Sequence, residues 1–382
     1  MPISQTIFVI KSGSLYGAGN NGDGQLGLGD TSDRSSLTKI TIPDSKTPKY
    51  IASGDYHTLV LMTDRSLYAT GRNSHGGLGL GDTVNRSLLT KITIPDSKTP
   101  KYIACGNHTA VLMTDGSLYA TGYNYYGELG LGNTVNRSLL TQVLNTTSKK
   151  PKYIASGAGH IVVLMSDGSL YGTGYNWSGQ LGLGNAAENR SLLTPFLTTP
   201  GKTPKYIACG ANHTYVLMTD GSLYGAGYNQ FGQLGLGASD TDRSSLTSIT
   251  IPDSKTPKYI ACGGFHSVVL MTDGSLYGTG MNGSGQLTGT STADIRLLTK
   301  ITIPDSKTPK YIACANSNTA VLMTDGYLYV TGENYRGQSG LGVTTRAKVL
   351  TSVSDGVSYI ADMMDYVDLY KHNYTAYFMK SY

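Results

Sequence analysis

The chain is poor in charge. Of its 382 residues only 14% are Asp, Glu, Lys or Arg, while glycine (49) and tyrosine (28) are abundant. The glycines follow no Gly-X-Y period, which excludes a collagen-like chain, and their mixture with Tyr, Leu and Thr argues against disorder. No run of about 20 apolar residues occurs, so no membrane span is expected. The N-terminal stretch has no basic region and too short an apolar run for a signal peptide, which makes an intracellular protein of cytoplasm or nucleus the expectation. No segment sustains a 3.6-residue apolar period, so almost no helix is expected. P-loop, nucleophile-elbow and Cys-x-x-Cys patterns are missing. The net charge of +5 permits acidic partners without demanding one.

What is there is repetition. Tyr-Ile-Ala begins at Tyr50, Tyr102, Tyr153, Tyr206, Tyr259, Tyr311 and Tyr359, with starts 51 to 53 residues apart except for a last gap of 48. A second phrase, Asp115-Gly116-Ser117-Leu118-Tyr119, recurs in most copies and is diverged at Gly13 to Tyr16. A third, Gly-x-Asn-x-x-Gly-Gln-Leu-Gly-Leu-Gly, follows it, as at Gly174 to Gly184.

Each unit reads as four strands. Lys-Tyr-Ile-Ala-Cys is a short apolar run, and the run from His108 is rich in β-formers. Asp115-Gly116 is read as a type I′ hairpin turn. Ser-Leu-Tyr-Ala-Thr-Gly makes the third strand. Leu88 to Pro95 alternates apolar and polar, as an outer strand with one wet face would. Four antiparallel strands repeated seven times predict an all-β, seven-bladed β-propeller, since ring closure protects sheet edges. Residues 1–382 are read as one domain of seven repeats of about 52 residues. The first copy lacks Tyr-Ile-Ala, and the C-terminus supplies an extra one at Tyr359, so one blade is expected to be shared by both termini. Thr6 to Ile10 and Tyr374 to Met379 compete for the second strand of that blade.

Ala208-Cys209-Gly210-Ala211-Asn212-His213 and the residues through Gly237 resemble the signature of the regulator of chromosome condensation (RCC1) repeat family. The resemblance covers nearly the whole chain and implies a seven-bladed propeller. The family's founding member is a guanine-nucleotide exchange factor for the small GTPase Ran and binds chromatin; other members are protein-interaction modules. The founder's exchange wedge is an inserted hairpin, and the near-constant spacing here leaves no room for one.

Several constellations have both a chemical and a structural reading. His57, His108, His160, His213 and His266 share one repeat position. Symmetry spreads them round the axis, too far apart to share a metal, so each is expected to bond local backbone at a turn. Cys105, Cys209, Cys262 and Cys314 also share a position, and are read as reduced, buried and unbridged. Gly17 to Gly22 and Gly278 to Gly283 fit Gly-x-Gly-x-x-Gly but precede no helix, so no dinucleotide site follows. One Arg per unit, such as Arg86 and Arg137, is read as bonding loop carbonyls. Lysines such as Lys98 and Lys255 are read as solvated.

The informative variation lies in the Gly-x-Asn-x-x-Gly loop. Its two variable positions hold Gly22/Asp23, Ser74/His75, Tyr125/Tyr126, Trp177/Ser178, Gln230/Phe231, Gly283/Ser284 and Tyr335/Arg336, between nearly fixed flanks. A turn needs no such bulk, and aromatics dominate docking surfaces. The candidate partner-binding residues are therefore His75, Tyr125, Tyr126, Trp177, Phe231, Tyr335 and Arg336, unless the rings fold back on neighbouring loops. A smaller second surface is expected at Asp55/Tyr56, Ala158/Gly159 and Gly264/Phe265. No catalytic residue, metal or cofactor is expected. The expected function is a monomeric, non-enzymatic protein-interaction scaffold. The alternatives are an exchange factor for a Ran-like small GTPase and a structural, virion- or assembly-associated protein, with nucleic acid or chromatin as a lesser partner.

Overall fold

The computed structural model describes residues 5–360 apart from 146, 187, 197–200, 238–239, 288–290, 305–306 and 355–356. Seven separate four-stranded antiparallel sheets form the blades of a β-propeller. In the second blade the order from axis to rim is Pro48–Ser53, His57–Met62, Leu67–Gly71 and Arg86–Lys91. In six blades the second strand is buried along its whole length, as His108–Met113 shows, because adjacent blades cover both of its faces; in the first blade only the terminal Lys11 of Thr6–Lys11 is partly exposed. The outer strand is half-wet, and Leu88, Leu139 and Leu297 stay exposed on it. It spans Arg86–Lys91, starting and stopping earlier than the alternation suggested, since Pro95 to Ser97 curls into a single 3-10 turn.

The first blade settles the competition between the ends. Val357–Ile360 supplies its innermost strand and pairs with Thr6–Lys11, with Ile10 opposite Tyr359. Thr6 to Ile10 therefore takes the second-strand place; Tyr374 to Met379 lies outside the described residues. The seventh blade meets the first through a bridge between Leu341 and Ser36 and an ion pair of Arg336 with Asp33 at 3.1 Å, so the ring closes.

The hairpin turn differs from expectation. Gly116 alone has positive φ (87°), whereas a type I′ turn needs two such residues. The Asp115 carboxylate instead accepts from the Ser117 amide and hydroxyl at 2.9 and 2.6 Å, which holds a longer loop. The first blade has the two-residue turn: Ser12 and Gly13 both have positive φ, between the paired Lys11 and Ser14.

The histidines do not bond local backbone. Four of the five reach the next blade instead. His57 Nε2 lies 2.8 Å from the Thr109 hydroxyl, and His213 Nε2 lies 2.9 Å from the Ser267 hydroxyl. Those hydroxyls donate onward to the Gly77 and Gln233 carbonyls, so the imidazole Nε2–H is the donor. His160 and His266 repeat the contact to Thr214 and Thr319. His108 is the exception: the next blade offers Ile161, and neither ring nitrogen finds a partner. Burial holds all five imidazoles neutral, with pKa values pulled down to about 3 or 4. The repeating glycine three residues before most of these histidines has a steric reason. A Cβ on Gly210 would lie 2.1 Å from the His213 ring and 2.5 Å from the Gly263 carbonyl of the next blade.

The four cysteines are free and half-buried rather than buried, and line the central cavity between the innermost strands. Burial pushes the Cys262 thiol up to about 12, which keeps it protonated and unreactive. The recurring arginines bond loop carbonyls as expected: Arg86 donates to the Val84 carbonyl at 2.6 Å and Arg137 to that of Val135 at 2.8 Å. The lysines are not merely solvated. Lys98 pairs with the hairpin residue Asp115 at 2.6 Å, and Lys255 pairs with Asp273. Such exposed pairs add little stability.

Candidate protein-interaction face

The Gly-rich loop is held by its fixed asparagine. Asn176 Oδ1 accepts from the Leu181 amide at 3.0 Å, while its Nδ2 donates to the Asn185 backbone carbonyl at 3.1 Å. In five blades the loop's glutamine is buried beneath it, as Gln180 is, accepting from the amide two residues earlier. With the ends pinned, the two variable residues are left at the tip, and they divide the two fates open to them.

The first position points outward. Tyr125 is 67% exposed, Trp177 62% and Tyr335 51%. The second mostly turns inward against neighbouring loops. Tyr126 and Phe231 are half-buried, Ser178 and Ser284 are buried, and His75 and Arg336 remain exposed.

The rings gather in two groups. His75 packs on Tyr123 with centroids 5.1 Å apart, and Tyr123 meets Tyr125 (6.3 Å) and Tyr126 (6.2 Å). Tyr126 continues to Tyr175 at 4.9 Å. The result is one aromatic run across the loops of three successive blades. Phe231, Tyr228 and Phe265 form the second group, with Phe231 and Phe265 5.3 Å apart. Trp177, two residues after Tyr175 on the loop of the fourth blade, joins neither group through any described ring contact. Tyr335 and Arg336 stand apart at ring closure, where the Tyr335 hydroxyl accepts from Gln5 Nε2 at 2.6 Å and Arg336 pairs with Asp33.

The expected second surface is part of this same face. Phe265 belongs to the second aromatic group, and the Arg72 guanidinium lies 3.9 Å over the Tyr56 ring. Sequence reasoning passed over Arg72, Tyr123, Tyr175 and Tyr228. The signal was available: the residue after the loop's first glycine also varies between copies, from Asn20 to Arg72, Tyr123, Tyr175, Tyr228, Met281 and Glu333.

Two acids on this side are buried, and burial makes both hold their protons to higher pH than ordinary carboxyls. Burial pushes the Glu128 carboxyl up to about 8 and that of Asp55 up to about 7. Glu128 stands where five blades have glutamine; its Oε2 accepts from the Tyr126 amide at 2.9 Å and its Oε1 has no partner. Among the described residues, no group of three or more His, Cys, Asp or Glu is placed to hold a metal ion, and no helix is long and apolar enough to cross a membrane.

Fold and face together define a repeat-built propeller that presents a variable, aromatic loop surface. The chain belongs to the RCC1-like domain family. The RCC1-like domain profile matches residues 101–363, and the regulator of chromosome condensation (RCC1) repeat profile matches residues 12–61 and 64–113. The ultraviolet-B receptor UVR8 of Arabidopsis thaliana is 32% identical over 290 residues, which are 74% of this chain and 64% of the receptor. The human X-linked retinitis pigmentosa GTPase regulator is 34% identical over 298 residues, 63% of this chain and 28% of the regulator. The chain thus spans less than two thirds of the length of these relatives. The structure of Prp20p from Saccharomyces cerevisiae superposes with a TM-score of 0.79 at 23% identity, over 93% of this chain and 86% of that one. Human WBSCR16 gives 0.79 at 20% identity, over 91% and 94%. At such identities these two likenesses bear on the fold alone.

Proposed function

We propose that this protein is a non-enzymatic scaffold, residues 1–382 acting as one propeller domain, that docks a protein partner on the loop face. The observation that carries the reading is where the repeats differ. Flanks that are almost verbatim frame loop tips bearing exposed Tyr125, Trp177 and Tyr335 beside half-buried Tyr126 and Phe231. Rings held partly out of the core present apolar area at little entropic cost, and burying half of one contributes roughly 2–3 kcal/mol. Free cysteines fit a reducing, intracellular setting.

Tyr125→Ala combined with Trp177→Ala is the test. Both side chains are mostly exposed, so stability should stay within about 0.5 kcal/mol of the parent for each change. Partner capture, read by affinity purification and mass spectrometry against the parent chain, should fall at least about tenfold. Undiminished capture by the folded double variant would remove the aromatic face from the reading. A nucleotide-release assay on small GTPases separates simple docking from exchange activity.

A further inference from the structure

One loop of the seven departs from the others beneath its tip. Where five blades have buried glutamine and the third has Glu128, the second blade has Gly77. In the other six, the side-chain oxygen accepts from the amide two residues earlier at 2.9 to 3.2 Å. At the second blade no side chain exists to receive the His75 amide. Nothing in the backbone demands a glycine here. Residue 77 is not in the left-handed region, and the atoms nearest to a Cβ there would be those of the His57 ring, at an ordinary contact distance of 3.6 to 3.9 Å.

The missing side chain leaves a cavity of about 190 Å³ between the second and third blades, open to the loop face. Tyr56, Arg72, His75, Asn107, Tyr123 and Tyr126 surround it and His57 lies beneath. The walls are fixed before anything binds. Arg72 is stacked on Tyr56 and its Nε pairs with Asp23 at 3.0 Å, while the His75 ring is held by Tyr123 and by Asn136 Nδ2 at 3.3 Å.

We infer that this cavity is a binding site for a carboxylate on a short flexible stem, the acidic side chain of a partner peptide. The repeat itself supplies the template, because in this setting the space is filled by a two-carbon stem ending in an acceptor oxygen. The partner's carboxylate takes the glutamine's place and accepts from the His75 amide. Arg72 decides for carboxylate over carboxamide: a guanidinium only donates, and it is best matched by an ionised acceptor. The same guanidinium disfavours a lysine side chain. The inference rests on the loop face being the docking surface.

The probes are N-acetyl-glutamate α-methylamide and its glutamine counterpart, titrated into the isotope-labelled full chain and followed by NMR. The glutamate compound should shift the amides of His75, Gly76 and Gly77 and the Arg72 Nε–H, saturating near millimolar, with the glutamine compound at least about fivefold weaker. Gly77→Gln fills the site from within, as the other blades do. It should abolish the shifts while raising the melting temperature by about 1–3 °C. Shifts that survive in the Gly77→Gln variant, equal response to both compounds, or no response in the parent would each overturn the site. A parent without these shifts, whose capture nevertheless falls on Tyr125→Ala and Trp177→Ala, would overturn the cavity and leave the face standing. Shifts at the cavity with capture unaffected would do the reverse.

Discussion

Gly210→Ala is expected to lower the unfolding free energy by about 3 kcal/mol, measured by urea denaturation. The added methyl would lie 2.1 Å from Cε1 of His213 and 2.5 Å from the Gly263 carbonyl of the next blade. Neither can yield easily, since His213 is fully buried and bonded to Ser267 at 2.9 Å. The seventh blade shows how the same chain resolves the conflict. There alanine occupies the glycine position, at Ala315, and asparagine replaces histidine, at Asn318. The smaller Asn318 turns its Nδ2 to the carbonyls of its own blade, including that of Glu333 at 2.5 Å. His213→Asn alone should cost about 1–3 kcal/mol through the lost bond to Ser267. Combined with Gly210→Ala it should cost less than the sum, by about 1 kcal/mol or more, because the ring that clashed is gone. Recovery stays partial, as the Gly263 carbonyl remains. Strict additivity of the two changes would show that glycine and histidine are not a steric pair.

Glu128→Gln is expected to stabilise the protein in a pH-dependent way, by about 4 kcal/mol near pH 8 and by little near pH 4.5. The Glu128 carboxyl is fully buried, and burial raises its pKa from an ordinary 4.5 to about 8. Between those values the folded chain keeps a proton that the unfolded chain has released. Stability therefore falls as pH rises through that window, and changes no further above about 8. Glutamine keeps the acceptor for the Tyr126 amide and has no proton to lose. The five buried histidines act oppositely: with pKa values near 3 to 4, they withdraw stability as pH falls below the ordinary 6.5. They are common to parent and variant and cancel in the difference. Melting curves from pH 5 to 9 should thus diverge toward the alkaline side, and parallel curves would mean that Glu128 is not held protonated.

Much of the architecture was legible before any coordinate. The strand His108–Met113 has the bounds that its β-forming run suggested, and Asp115-Gly116 marked the turn, although its type was misread. Turn type depends on where the ladder resumes. Here that is set by the Ser117 amide bonding Asp115, not by the Asp-Gly pair alone. The site was legible in part. Variation between copies pointed to Tyr125, Trp177 and Phe231, but it could not tell that Tyr125 would stand out while Phe231 packed on Phe265. Nor could it join Tyr56 to Arg72, which are 16 residues apart in the sequence and stack only because two different loops of the blade end on one face.

The sequence by itself determined the number of blades, the strands in each and the loop in which the copies diverge. These are local properties, written inside each repeat by alternation, glycine and proline. Only the tertiary structure decided which terminal segment completes the first blade, that four of the five histidines reach a hydroxyl on the next blade, and that Gly77 opens a cavity floored by His57. Those features are contacts between consecutive repeats. They exist because the ring brings residues about fifty positions apart into register, and no single repeat read alone contains both partners.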